Sequence, residues 1–309
     1  MTVAVFIDGA VGTTGLEIRE RLSARPEIAL HTLDDDRRRD AAARAAALNQ
    51  ADIVILCLPD DAAREAVAMI ANDRTRVIDA STAHRVADGW TYGFAELEPD
   101  QAQRIATARF VSNPGCYPTA FLALVRPLVR GGLLPADALV GVNAASGYSG
   151  GGKAMIEEFE SGAAGTAFRP YGLSLAHKHV PEMQRQAGLA HPPIFQPAVA
   201  NTYRGMVAEV PLHTAQLTAG TTIDDVRAAL ADAYAGSALV RVAADDVATV
   251  AIEADAGTDR MTLRVFGNAG TGQLRLVATL DNLGKGAAGA AVQNLNIMAG
   301  LDPVAGLTL

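Results

Sequence analysis

Two short stretches of this chain hold side chains whose types and spacing could do covalent chemistry. Only two cysteines occur among the 309 residues, and one of them, Cys116, lies in NPGCYPT (113–119). A Pro-Gly turn precedes it, and YPTAFLALVRPLV (117–129) follows with helical period. Pro118 fits the first helical turn, where its missing N–H costs nothing. A thiol at a helix N-terminus faces the positive end of the dipole, which favours the thiolate. A free cysteine is only a few per cent thiolate at neutral pH, so a modest fall in pKa multiplies the nucleophile severalfold. Cys57, mid-strand in VILCLP, reads instead as a small inert hydrophobe. The second stretch is HKHVPE (177–182), with His177, His179 and Glu182. One imidazole as general acid/base, oriented or assisted by Glu182, suits a thiolate mechanism. Two histidines could also ligate a metal, but no companion cysteine or carboxylate has ligand spacing. His177 also reads as a packed structural residue.

Two glycine-rich stretches could hold anions. GAVGTTG places Gly9, Gly12, Thr13, Thr14 and Gly15 after a first strand and at the start of a helix. Free N–H groups and the dipole there suit a dinucleotide pyrophosphate, although the spacing is G-x-x-G-x-x-G rather than G-x-G-x-x-G. Where a ribose-reading residue is expected stand both DDD (34–36) and RRR (37–39). An acidic residue suits a free 2′-hydroxyl and arginines suit a 2′-phosphate, so the stretch leans to NADP through Arg37 and Arg38 and leaves NAD open. GYSGGGK (147–153) approaches a P-loop, but Ala154 follows Lys153 and has no hydroxyl for Mg²⁺. A loop with Ser146, Ser149 and Lys153 can still cradle a smaller anion, such as a substrate phosphate.

The elements that would position these residues divide the chain. Strand-like runs at 2–8, 28–34, 52–59 and 76–81 alternate with helical segments at 13–24, 38–50 and 61–72. That alternation predicts parallel βαβ units and an α/β, Rossmann-type doubly wound sheet over residues 1–116. Runs at 205–212, 248–253, 261–266 and 273–280 alternate like antiparallel strands. They predict an α+β catalytic and oligomerisation domain over 117–284, with a mostly antiparallel sheet and a homodimer or homotetramer. Residues 285–309 start a small-residue helix suited to pack back on the first domain. A formal net charge of -8 and a pI of about 5.3 leave no basic face for nucleic acid. Without a signal-peptide pattern or a long apolar run, the expectation is a cytoplasmic protein with no membrane partner.

GAVGTTG, DASTAHR (79–85), SNPGCYPT, SGYSGGGK and HKHVPEM, in this order, resemble the N-acetyl-gamma-glutamyl-phosphate reductase family, in its shorter form. DNLGKGAAGAAVQNLN (281–296) resembles the family's cofactor-side helix. The resemblance implies an NADP-dependent oxidoreductase of arginine biosynthesis that forms a semialdehyde from an acyl phosphate and releases inorganic phosphate. It implies Cys116 as the nucleophile, forming a thioester, and His179 as acid/base with Glu182 beside it. It extends cofactor contacts to Gly150 and Asn294, and substrate contacts to Arg85, Asn113, Ser146, Ser149, Lys153 and His177. DASTAHR departs from the DLSADFR of longer members. Aspartate-semialdehyde dehydrogenases share the general plan, and HKHVPE after the glycine loop favours the glutamyl-phosphate enzyme. A dinucleotide sensor without catalysis is the rival from outside enzymology.

Overall fold

The computed structural model describes residues 2–34, 36–244 and 247–309. The chain forms two compact units, Met1–Gly115 with Ala287–Leu307, and Cys116–Gly286 with Thr308–Leu309.

In the first unit β1 (Val3–Asp8), α1 (Thr13–Ser23), β2 (Ile28–His31), α2 (Ala41–Gln50), β3 (Ile53–Leu56), α3 (Asp60–Ala68) and β4 (Arg76–Asp79) alternate, followed by β5 (Thr91–Tyr92), α4 (Gln101–Thr107) and β6 (Phe110–Ser112). The sheet order is β2-β1-β3-β4-β6-β5, and every neighbouring pair is parallel. Successive side chains along a strand face opposite sides. Val5, Ile7, Ile53, Ile55 and Ile78 therefore pack with Ile18 and Leu22 of α1, while Phe6, Val54, Leu56 and Val77 pack with Leu48 of α2 and Ala63 and Ala66 of α3. Double coverage explains why β3 is apolar at every position. The order reverses between β1 and β3, the switch point where ligands bind such sheets.

The helical period read over 38–50 begins later in the structure. The Asp40 carboxylate accepts the Ala43 N–H at 2.6 Å and caps α2, so the helix starts at Ala41. Arg37, Arg38 and Arg39 are left in a turn in which the N–H groups of Arg37 and Arg38 both donate to the Asp34 carbonyl.

The second unit comprises α5 (Cys116–Arg130), β7 (Gly141–Gly147), α6 (Gly152–Glu160), β8 (Phe168–Pro170), α7 (Val180–Ala187), β9 (Ile194–Ala200), β10 (Met206–His213), α8 (Ile223–Ala233), β11 (Val240–Val242), β12 (Met261–Asn268) and β13 (Gln273–Leu280). Its sheet runs β11-β12-β13-β10-β7-β9-β8, antiparallel except at β7–β9 and β11–β12. The strand expected at 248–253 is absent from the described residues, which turn and bend there. β11 takes the free edge of β12 instead, in parallel. Helix α5, buried along most of its length, lies against β10, β12 and β13 and against α7 and α8.

A final helix, α9 (Gly289–Ala299), belongs to the first unit, where Ala291, Val292 and Leu295 join the same apolar cluster as α1. Its alanines bring it close to α1 and α4.

Candidate active site

The first unit holds a glycine turn whose geometry suits an anion. Gly9 has φ +90°, and a Cβ there would lie 2.3 Å from the Cys57 carbonyl oxygen. A Cβ on Gly15 would lie 2.4 Å from the Gly9 carbonyl oxygen, whereas one on Gly12 would meet that oxygen only at 3.5 Å. Gly9 and Gly15 are thus required by the turn itself, and Gly12 leaves open space at the start of α1. Gly12 caps that helix without any side-chain hydrogen bond and no acidic residue stands in its first turn, so N–H groups near Thr13 and Thr14 remain available to a phosphate.

A cleft of about 280 Å³ opens beside this turn, lined by Gly9, Ala10, Arg38, Arg39 and Arg44 among others. Arg37 is exposed and outside that lining, as are Asp34 and Asp36, and Asp35 lies outside the described residues. Nothing in the spacing points to Arg44, which reaches from α2 to the buried Asp8 carboxylate at 2.9 Å. The pair neutralises a negative charge at the end of β1 that would otherwise repel an anion in the cleft. Cys57, just beyond β3, has its thiol pushed up to about 12, by burial first and by Asp79 and Asp8 next, and stays protonated.

Asn294 is fully buried on α9. Its Nδ2 donates to the Gly93 carbonyl at 2.8 Å and to Asn113 Oδ1 at 3.0 Å. Its Oδ1 is buried without a hydrogen-bond partner among the described residues. An orphaned amide acceptor of this kind fits the carboxamide donor of a nicotinamide. Asn113 in turn donates to the Ala287 carbonyl at 3.0 Å. Arg85 spends Nε on the Asn113 carbonyl and Nη2 on the Ala80 carbonyl, each at 3.0 Å. Both residues thus shape the segment leading to Cys116. The 79–85 loop closes on itself as Asp79 accepts from the Ser81 hydroxyl at 2.7 Å and pairs with His84 Nδ1 at 2.6 Å.

In the second unit Cys116 is the first residue of α5 and is half-buried. The chain returns to it at Gly286, where a Cβ would lie 2.9 Å from the Cβ of Cys116. The phenols of Tyr117, next to it on α5, and of Tyr171 both feel the charge of Cys116. Burial raises Tyr171 to about 12 and Tyr117 well above the ordinary phenol value, with the charge of Cys116 adding to both. Both hydroxyls therefore keep their protons, and Tyr117 donates to the Ala198 carbonyl at 2.8 Å.

The two histidines join this group. His177 stands 5.7 Å from Tyr171 and 5.1 Å from Phe195, ring centre to ring centre. His179 is buried at the start of α7, 6.1 Å from the Tyr117 ring, with Glu182 buried one turn on. His177 titrates below its ordinary value through burial, with the charge of Lys178 adding to the effect.

The loop at 147–153 is braced by hydrogen bonds of its own hydroxyls. Ser146 donates to the Gly147 carbonyl at 3.1 Å, and Ser149 accepts from Asn282 at 2.9 Å. Tyr148–Gly151 is a 3₁₀ turn, Gly150 packs near Ser146, and Lys153 and Ala154 are exposed. Sequence patterns miss Tyr117, Tyr171, Phe195, Gly286 and Arg44. The only local cues are the tyrosine adjoining Cys116 and the glycines of the 284–289 stretch.

Residues 4–105 match the semialdehyde dehydrogenase NAD binding domain, and residues 116–282 match the semialdehyde dehydrogenase dimerisation domain. An N-acetyl-gamma-glutamyl-phosphate reductase of Mesorhizobium japonicum is 51% identical over 308 residues, covering 97% of this chain and 100% of the relative. One from Chelativorans sp. is 52% identical over 305 residues, covering 96% and 98%. The chain belongs to the N-acetyl-gamma-glutamyl-phosphate reductase family.

Solved structures of aspartate semialdehyde dehydrogenases share this reductase fold at low identity. That of aspartate semialdehyde dehydrogenase II from Vibrio cholerae aligns with a TM-score of 0.74 at 17% identity, over 97% of this chain and 99% of that one. That from Francisella tularensis reaches 0.75 at 14%, over 96% and 100%. The reductase fold thus combines a domain for a nicotinamide dinucleotide with a dimerisation domain. Among the described residues no helix is long and apolar enough to cross a membrane.

Proposed function

We infer that this reductase converts N-acetyl-gamma-glutamyl phosphate to N-acetylglutamate semialdehyde and inorganic phosphate, with NADP as its dinucleotide, as a step of arginine biosynthesis. The observation that carries the reading is Cys116 at the N-terminus of α5, next in sequence to Tyr117, whose ring lies 6.1 Å from that of His179 in the His177–His179 pair. Full-length similarity to reductases of that name supports the substrate.

The Cys116 sulfur attacks the acyl carbon, the carbon–oxygen bond to phosphate breaks, and a thioester forms. N–H groups at the start of α5 stabilise the oxyanion of that tetrahedral stage. Bound NADPH supplies the hydride that a thioester carbonyl, more electrophilic than an ordinary ester, accepts. His179 moves the proton as the thiohemiacetal oxygen regenerates a carbonyl and the carbon–sulfur bond breaks, which restores the thiolate. Glu182, buried a turn further along α7, orients that imidazole. Arg38 and Arg39 in the cleft beside Gly9 favour NADP, because two guanidiniums suit a 2′-phosphate. The orphaned Asn294 acceptor is assigned to the nicotinamide end. The match to a dimerisation domain supports a homodimer or homotetramer.

The deciding assay runs the reaction backwards, following phosphate-dependent NADP⁺ reduction with N-acetylglutamate semialdehyde beside aspartate semialdehyde. Turnover of the first substrate, strictly dependent on phosphate, is expected. Preference for aspartate semialdehyde would overturn the substrate reading.

A further inference from the structure

We propose that Asp281 and Gly286 form a backstop that positions the Cys116 thiol, Asp281 acting through the turn that carries Gly286; this deepens the thioester reading and rests on it. Asp281 is fully buried and every polar atom of its side chain is engaged. Its Oδ1 accepts the N–H of Leu283 at 2.7 Å and of Gly284 at 3.1 Å. Its Oδ2 accepts the N–H of Gly257 at 2.6 Å and faces the Arg204 guanidinium at 3.4 Å. Its own carbonyl accepts the Gly286 N–H at 3.0 Å. One residue thus holds the entry of the π-helical turn Gly284–Ala288 and its midpoint. Single-turn π-helices are uncommon and often mark functional sites.

The turn ends against the nucleophile. A Cβ on Gly286 would stand 2.9 Å from the Cys116 Cβ, 3.4 Å from its Cα and 3.0 Å from the Asp281 carbonyl oxygen. No real Cβ occupies such a position, so Gly286 lets backbone lie directly against the cysteine. Backbone packed there narrows the staggered χ1 wells open to the thiol. The neighbouring Asn282 extends the same brace, accepting the Gly205 N–H at 2.9 Å and donating to Ser149 at 2.9 Å. A buried carboxylate that collects three N–H groups makes strong, charge-assisted bonds, so the turn is stiff enough to resist displacement by the thiol. Positioning on this scale matters, since a shift of about 1 Å at a reacting atom costs on the order of 100-fold in rate.

The test uses Gly286→Ala and Asp281→Asn in the full chain, with Cys116→Ala as the alkylation blank. Two quantities are read well below each variant's melting temperature: kcat and KM in the phosphate-dependent assay, and the rate of iodoacetamide alkylation of Cys116 against pH. A positioning role predicts kcat lower by roughly 10- to 100-fold, KM for NADP⁺ within about twofold, and a shifted alkylation midpoint. A merely structural role predicts a lower melting temperature with wild-type kcat and alkylation profile, and that result would overturn the proposal. If Asp281→Asn does not fold, Gly286→Ala decides alone by the same two outcomes. Alkylation needs no substrate, so the backstop stays testable even if the substrate assay finds another acyl chain.

Discussion

His177 accepts the backbone N–H of His179 at its Nδ1, across 3.1 Å, with the two rings edge-to-face at 4.7 Å. A ring nitrogen accepts only when unprotonated, so the contact requires neutral His177 with its proton on Nε2. Burial and then Lys178 hold its pKa below 6.5, so the folded protein binds fewer protons here than the unfolded chain. Stability from this site is therefore complete above pH 6.5 and is lost as pH falls from there through the folded value. NMR titration of the His177 ring should show a midpoint below 6.5. A midpoint above it would mean that the charged form is favoured and that the bond to His179 does not hold in solution.

Cys116→Ser should abolish phosphate-dependent oxidation of the semialdehyde while dinucleotide affinity, measured by fluorescence titration, stays within about twofold. A serine ester accepts hydride poorly, and an alcohol is hardly ionised at neutral pH. His179→Asn should lower kcat by about 100-fold or more, as loss of a general acid/base does, and flatten one limb of the pH profile. An unaltered profile would remove His179 from proton transfer.

The glycine turn separates two requirements. Gly15→Ala drives a Cβ to 2.4 Å from the Gly9 carbonyl oxygen, which only backbone movement can relieve. A loss of stability of about 2 kcal/mol or more is expected, as for other strained or overpacked sites. Gly12→Ala meets that oxygen only at 3.5 Å, so the fold should tolerate it. It should nonetheless weaken dinucleotide binding, because the methyl would enter the space proposed for the pyrophosphate. Melting curves with and without NADP⁺ distinguish the two, and equal behaviour of both variants would contradict this division.

Arg39→Ala should raise KM for NADP⁺ by about tenfold, within the range for one charge-assisted hydrogen bond, and leave KM for NAD⁺ nearly unchanged. Arg44→Ala should differ, because its first duty is the 2.9 Å pair with Asp8. Removing it leaves a buried carboxylate uncompensated beside the cleft, so binding of both dinucleotides and stability should fall together. Equal loss toward NADP⁺ and NAD⁺ in Arg39→Ala would place the 2′-phosphate elsewhere.

Much of this arrangement is readable in the chain because it is local. The period of β1, α1 and β3 and the glycine spacing after Asp8 are properties of adjacent residues, and they predict the doubly wound sheet and its phosphate turn. What is non-local is hidden. Gly286 meets Cys116, and Arg44 meets Asp8, only after the sheets assemble. The aromatic group of Tyr117, Tyr171 and Phe195 comes from α5, the segment after β8, and β9. The alternation at 248–253 misleads for a related reason. Pattern marks a segment able to pair, yet the edge of β12 goes to β11. Small capping choices are also missed, such as Asp40 delaying α2 and so leaving the arginines before it in a turn.

Pro127 sits inside α5, where it cannot donate to the carbonyl of Ala123 one turn earlier. The Tyr234 hydroxyl, at the end of α8, donates to that carbonyl instead, at 2.9 Å in a buried setting. Tyr234→Phe should therefore leave a buried acceptor unpaired and cost about 1–3 kcal/mol. Pro127→Ala restores an N–H that can close the helical bond, so Tyr234→Phe should cost less in that background. The comparison cancels the proline's effect on the unfolded chain, which is common to both arms. Urea unfolding of the four proteins gives the coupling, expected at about 0.5–1.5 kcal/mol. An identical cost in both backgrounds would show that the tyrosine is not the substitute for the missing helical donor.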